Sequence, residues 1–162
     1  MKLIQLTQGK FAQVDDEDFE RASKYTWSAA KRVGGHFYAV SGSNYYGGKQ
    51  MNLHRFIMNI DPDDKTYVDH IDRDGLNCQK HNLRTCTNQQ NQYNSIKNVK
   101  KSSIYKGVYL LSRVTCIRYG ACIRINKLKT HLGTFENELD AAKAYDEAAK
   151  KNFGEFALIN NV

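Results

Sequence analysis

Val68-Asp69-His70-Ile71-Asp72, followed by Asn82-Leu83-Arg84 and then Thr87-Asn88-Gln89-Gln90-Asn91, is the stretch that decides the fold. An imidazole titrates near neutrality and can take a proton from water. A carboxylate and an amide oxygen are the ligands a hard cation prefers. Adjacent strand residues point to opposite faces, so Asp69 and His70 share a site only at a strand end or bend. Gly75 permits a tight loop soon afterwards. Thr87 is a helix-capping type, which puts Asn91 one turn inside a helix; Asn88 takes its place if the helix starts elsewhere. A strand, a return strand and a helix then bring Asn91 back against Asp69. Asp72 reads either as a partner of these groups or as a loop cap.

Charge extends the reading outward. Between Asp74 and Glu136 there is no carboxylate. That tract carries eleven Lys and Arg: Lys80, Arg84, Lys97, Lys100, Lys101, Lys106, Arg113, Arg118, Arg124, Lys127 and Lys129. Unmixed charge repels itself, so a one-sign tract calls for a polyanion. Nucleic acid is the natural one, through phosphate neutralisation. The net charge of +7 agrees in sign.

The 162 residues suit one medium domain or two small ones, and 41% hydrophobic content is enough for a core. No run approaches a membrane span and the start is too polar for a signal segment, so a cytoplasmic protein is expected. Cys78, Cys86, Cys116 and Cys122 form no Cys-x-x-Cys pair. Free thiols are expected, without structural zinc.

Upstream, Lys2–Thr7 and Lys10–Val14 read as strands around Gln8-Gly9, and Asp15–Asp18 caps a helix reaching Ala22. Tyr25–Lys31 and His36–Ser41 flank Gly34-Gly35 as a hairpin. Leu53–Met58 reads as a short helix with Leu53, Phe56 and Ile57 inward. Downstream, 97–103 reads as a polar basic linker. Three strand-like runs follow: Tyr105–Leu111, Arg118–Ile125 and Leu128–Phe135. Asn137 caps a last helix, with Leu139, Ala142, Tyr145 and Ala149 at helical spacing and Gly154 as its stop.

The ordered set Asp-His-Ile-Asp, Asn-Leu-Arg, Thr-x-x-x-Asn resembles the HNH nucleases, in the version with Asn for the last His found in phage and intron-borne homing enzymes. The likeness spans about 53–95. It implies a two-strand-plus-helix metal finger at about 66–96. His70 would be the general base, Asp69 and Asn91 metal ligands, and Asn82 the brace of the loop carrying His70. Family members also place a basic residue near the leaving group, a role open to Arg84. His54-Arg55 matches a pair common upstream, although His54 also reads as a packed histidine. His81 reads as exposed or as a phosphate contact.

The last third is similar to a second family. Tyr105-Lys106-Gly107-Val108, Tyr119-Gly120-Ala121-Cys122-Ile123-Arg124, His131-Leu132-Gly133-Thr134-Phe135 and Asp140-Ala141-Ala142-Lys143-Ala144-Tyr145-Asp146 resemble the Apetala-two, or ethylene-response-factor, DNA-binding domain. Such domains lay a three-stranded antiparallel sheet, backed by one helix, into the major groove. Tyr119 and His131 stand where that family has tryptophans. The DNA-contacting set expected here is Lys100, Lys101, Lys106, Arg113, Arg118, Tyr119, Arg124, Lys127, Lys129 and His131.

The expected fold is α+β: mixed N-terminal strands leading into a ββα-metal finger, then a three-stranded antiparallel sheet on one helix. The expected domains are 1–98 for the nuclease, 99–103 for the linker and 104–162 for DNA binding. The expected activity is metal-dependent hydrolysis of double-stranded DNA, of a homing or phage-encoded type. One magnesium or manganese ion per site is expected, with no small-molecule cofactor and no membrane partner. A non-cutting DNA-binding regulator with a nuclease-like fold is the alternative.

Overall fold

Alternation of apolar and polar residues folds the N-terminal segment into a hairpin. Strand β1 (Lys2–Gln5) pairs antiparallel with β2 (Phe11–Val14), and Ile4, Ala12 and Val14 point into the core. Both strands are shorter than expected at the turn. Gln8 and Gly9 adopt positive φ, and the 3-10 turn Thr7–Gly9 absorbs the residues between. The computed structural model describes residues 1–32, 34–42, 49–96, 102–113 and 116–162, with the side chains of Ser112, Arg113 and Cys116 outside that description.

Acidic residues Asp16, Glu17 and Asp18 open helix α1 (Asp16–Ala22), where they meet the positive end of the helix dipole. Strands β3 (Trp27–Lys31) and β4 (Phe37–Ser41) form the second hairpin. Helix α2 (Leu53–Ile57) follows, with Leu53 and Ile57 fully buried and Phe56 half-buried against Tyr25 and Trp27. Strand β5 (Tyr67–His70) pairs antiparallel with β6 (Leu83–Cys86). One core of Ile4, Val14, Trp27, Leu53, Ile57, Val68, Cys78 and Leu83, with further small residues, joins all of these elements.

Helix α3 (Asn88–Tyr93) begins directly after Thr87. The chain divides into two compact units, Met1–Asn88 and Gln89–Val162. That division falls about ten residues before the expected domain end at 98. Tyr93 is the reason: its ring stacks on Phe153, with centroids 3.6 Å apart and planes 12° apart. Its carbonyl accepts hydrogen bonds from Lys106 Nζ and from Leu158 N. Much of the expected linker, residues 97–101, lies outside the described residues.

In the second unit, β7 (Val108–Arg113), β8 (Cys116–Ile125) and β9 (Leu128–Phe135) form an antiparallel sheet in that order. Asn126 and Lys127, both at positive φ, make the two-residue turn between β8 and β9. Helix α4 (Glu138–Phe153) packs on the sheet through Ala141, Ala142, Tyr145, Ala149 and Phe153. These five small or flat residues let helix and strands approach closely. Leu139, expected in that stripe, is exposed instead. Asn137 caps α4 by accepting from Asp140 N at 2.8 Å, and Gly154 ends it at φ 53°. Asp146 then fastens the C-terminal segment by accepting from Asn160 N and Asn161 N.

All four sheets are antiparallel, and with four α-helices among the described residues the fold is α+β. No described helix is long and apolar enough to cross a membrane.

Candidate functional site

β5 ends at His70, which removes the objection that neighbouring strand residues face apart. Cross-strand register sets Asp69 opposite Arg84 and His70 opposite Leu83. Arg84 reaches across the pair and donates twice to one oxygen, from Nε at 3.0 Å and from Nη2 at 2.7 Å, both to Asp69 Oδ2. Both side chains are nearly buried, at 12% and 6% exposure, so this is an interior ion pair. Arg84 is thus engaged with the carboxylate beside His70.

His70 is enclosed by two rings. Its centroid lies 4.9 Å from that of His54, at 87°, and 5.7 Å from that of Tyr38, at 66°. Tyr38 also meets His54 edge-on, so the three rings form one cluster. Burial holds the His70 imidazole below its usual titration range, opposed by the charges of Asp72, Asp69 and Asp74. Burial therefore favours the neutral form of the ring. His54 is lowered further, to about 3, by burial and then by His70 and Arg55. The packed reading of His54 is the one the structure realises. Arg55 knits the approach to β5 by donating to the carbonyls of Asp61, Asp64 and Thr66.

The loop between the strands is braced by Asn82. Its Nδ2 donates to Asp72 Oδ1 and to Asn77 O, both at 2.9 Å. Its Oδ1 accepts from Asp72 N at 2.9 Å, and its backbone carbonyl accepts from Ile71 N. Asp72 is both partner and cap: Oδ1 also accepts from Asp74 N, and Oδ2 accepts from Asn77 Nδ2. Burial would raise the Asp72 carboxyl, but bonds from Asp74, Asn77 and Asn82 and the nearby His70 together hold it below its usual range. Gly75 is set by close approach: a Cβ there would lie 2.4 Å from Phe37 O and 2.8 Å from the Tyr38 ring. The N-terminal hairpin closes the loop from the other side. Gln13 exchanges backbone bonds with Leu76 and Cys78, and Asp15 accepts from Gln79 Nε2 and Lys80 N. Lys80 pairs with Glu17 and Asp18, and His81 is exposed.

Asp69, His70, Asn82 and Arg84 thus belong to the first unit, whereas Asn91 is a half-buried residue of α3 in the second. Among the described residues no three His, Cys, Asp or Glu side chains converge as a metal cage.

Strand alternation sorts the expected DNA-contacting residues of the second unit. Arg118 and Arg124 are exposed on β8, and Lys127, Lys129 and His131 are exposed on the turn and β9. Arg118 Nη2 lies 3.9 Å from Glu136. Tyr119 has the opposite parity and packs with Val108, Ala121, Ala141, Ala142 and Phe135, facing α4. Its expected outward role gives way to a core one, because Gly120 rather than Tyr119 lies opposite Tyr109 and Thr134 on the outer face. Lys106 extends its ammonium to the carbonyls of Tyr93 and Ser95. Lys100 and Lys101 lie outside the described residues, as does the side chain of Arg113.

Two aromatic residues join the sites without having been singled out from sequence. Tyr38 encloses His70; nothing in its local string distinguishes it from its neighbours. Tyr109 occupies the outer sheet face, with its hydroxyl 3.2 Å from His131 Nδ1 and Lys129 Nζ 5.0 Å from its ring centre. Its signal was the glycine opposite, since a Cβ at Gly120 would lie 2.4 Å from Tyr109 Cζ.

No family model matches the chain, and no solved structure matches it either. A curated protein of Acanthamoeba polyphaga mimivirus, described as an uncharacterized HNH endonuclease, is 35% identical over 158 residues, which cover 95% of this chain and 76% of that protein. An alignment of that extent spans both units, and the chain belongs to the HNH endonuclease family.

Proposed function

We propose that the protein is a metal-dependent DNA endonuclease whose general base is His70. The observation that carries this reading is the position of His70: an imidazole enclosed by Tyr38 and His54 at the end of β5, next in sequence to a carboxylate oriented by Arg84. A neutral imidazole nitrogen can accept the proton of an attacking water. The phosphorus–oxygen bond to the leaving 3′ oxygen then breaks as the water oxygen adds. Asn82 fixes the loop that follows His70, so the base keeps its position during proton transfer. Arg84 fixes the carboxylate.

The donors suit a hard cation. Magnesium keeps several waters and takes one or two carboxylates together with substrate phosphate oxygens. Asp69 is the carboxylate for that purpose on the strength of its place in the motif, next to His70 and held in orientation by Arg84. Asn91 is the amide ligand on the strength of its place in the motif, four residues beyond Thr87. A magnesium or manganese ion held there would offset the charge that develops on the phosphate and on the departing oxygen.

The three-stranded sheet is the docking element, similar to an Apetala-two type domain. Its outer face presents Arg118, Arg124, Lys129 and His131, cations and a ring suited to phosphates and base edges. Two linked contacts on one duplex raise the effective concentration of the cutting centre, which suits a site-recognising enzyme of homing type. The test is plasmid cleavage with magnesium or manganese against a chelator control. His70→Ala is expected to abolish cutting and keep most DNA binding. Cutting by His70→Ala at the parental rate refutes the assignment.

A further inference from the structure

The first unit holds a carboxylate-free tract of its own. From Arg21 to Ile60 there is no Asp or Glu, against six Lys and Arg. Several of these cations have internal partners. Arg21 binds Asp18, Asn59 and two carbonyls, Lys49 pairs with Asp63, and Arg55 holds three carbonyls. Lys31 and Arg32 are different. Both are exposed at the end of the β3–β4 hairpin, beside exposed His36, with no carboxylate partner among the described residues. Lys10 joins them, its ammonium 4.0 Å from the centre of the Phe37 ring.

The same hairpin touches the proposed cutting centre. Tyr38 lies against His70, and its backbone partner across the hairpin is Ala30. Arg32, two residues beyond Ala30, keeps the parity of the Tyr38 face, and Lys31 stands at the strand end between them, so roughly 3–7 Å of strand separates the two cations from the level of Tyr38. That is a reach of about one or two phosphates along a DNA strand, at roughly 3.4 Å of rise each. Electrostatics agree. Burial raises the Tyr38 phenol, Asp69 raises it further, and Arg32 opposes both, so one hydroxyl senses the carboxylate and the guanidinium together.

We propose that the β3–β4 hairpin is a second DNA-contacting element, in which Lys31 and Arg32 grip backbone phosphates flanking the one presented to His70. A two-stranded ribbon with cations at its tip fits a polyanion, and the absence of carboxylates removes the repulsion that would weaken such a contact. The phosphate contacts fix register along the strand and carry no base preference. This proposal rests on DNA being the substrate.

The experiment uses the full chain with His70→Ala, expected to hold DNA without cutting it. Fluorescence anisotropy measures affinity for a labelled random duplex across a salt series. Removing both cations with Lys31→Gln and Arg32→Gln is expected to lower the slope of log K against log salt by about 1.8, at roughly 0.9 per lost phosphate contact. The charge-preserving pair Lys31→Arg and Arg32→Lys is expected to keep the parental slope, and Lys49→Gln to leave it unchanged. Circular dichroism confirms that each variant is folded. A folded Gln pair with the parental slope overturns the hairpin contact and leaves the endonuclease reading standing. A parent that binds no DNA overturns both. A reduced slope in the Gln pair, alongside an intact chain that cuts no DNA, supports the hairpin and refutes the endonuclease.

Discussion

Arg84 sets two of its nitrogens on a single oxygen of Asp69, Oδ2, from the facing position of the neighbouring strand. The pair is interior, so losing one partner leaves a charge without compensation. Arg84→Met is expected to destabilise the first unit by about 3 kcal/mol, the low end for a broken buried pair. Adding Asp69→Asn to Arg84→Met should recover most of that loss. Urea unfolding of the two variants measures it, and equal loss in the single and double variants would show that the ion pair is not the source.

His54 makes the first unit sensitive to acid. Its folded value of about 3 lies below the ordinary 6.5, so the unfolded chain takes up the proton first. The contribution is complete above about pH 6.5 and is lost as pH falls toward 3. At pH 4 the loss amounts to about 3 kcal/mol, from one proton over roughly 2.5 pH units. Chemical unfolding at pH 7 and pH 4 should therefore differ less for His54→Leu than for the parent. An identical pH dependence would place the acid sensitivity elsewhere.

Asn82→Ala removes three hydrogen bonds at once and strands Asp72 N and Asn77 O in the loop. A cost of about 2–4 kcal/mol is expected from these unsatisfied groups. Because the loop starts at His70, cleavage should fall further than the folded fraction does. Comparing cleavage rate with thermal stability separates the two effects; a rate that only tracks the folded fraction would deny the loop a positioning role.

Gly120→Val tests the outer sheet face. Any Cβ there meets the Tyr109 ring, which must then leave its place over the glycine and its contact with His131. The second unit should lose about 1–3 kcal/mol through overpacking. DNA affinity should also fall in the non-cutting His70→Ala background, measured by anisotropy. Retained affinity in a folded variant would remove Tyr109 and His131 from the contact surface.

Local chemistry was readable in advance where it is governed by near neighbours. The Asn137 cap and the Gly154 stop each depend on a few adjacent residues, and both are realised; of the strand end or bend left open at His70, the structure has the strand end. The brace at Asn82 was reachable through resemblance, although its pair of hydrogen bonds with Asp72 was not. Contacts between distant segments were hidden. Tyr38 and His54 reach His70 only because the β3–β4 hairpin and α2 share its core. Arg84 meets Asp69 because of a cross-strand register that the loop length leaves undetermined. Tyr119 shows the same difficulty: shifting a strand by one residue exchanges its faces, and an aromatic side chain suits either. Tyr93 carried no sign that its ring would stack on Phe153, so the boundary after Asn88 was not legible.

Alternation along β8 has an evolutionary consequence. Ala121 and Ile123 support α4, whereas Arg118 and Arg124, on either side of them, face outward. On the proposed docking role of this sheet, selection for a stable scaffold and selection for a new target would act on interleaved but separate positions. A lineage could then change its recognition site by single changes at the outward positions while the residues that carry α4 stay in place.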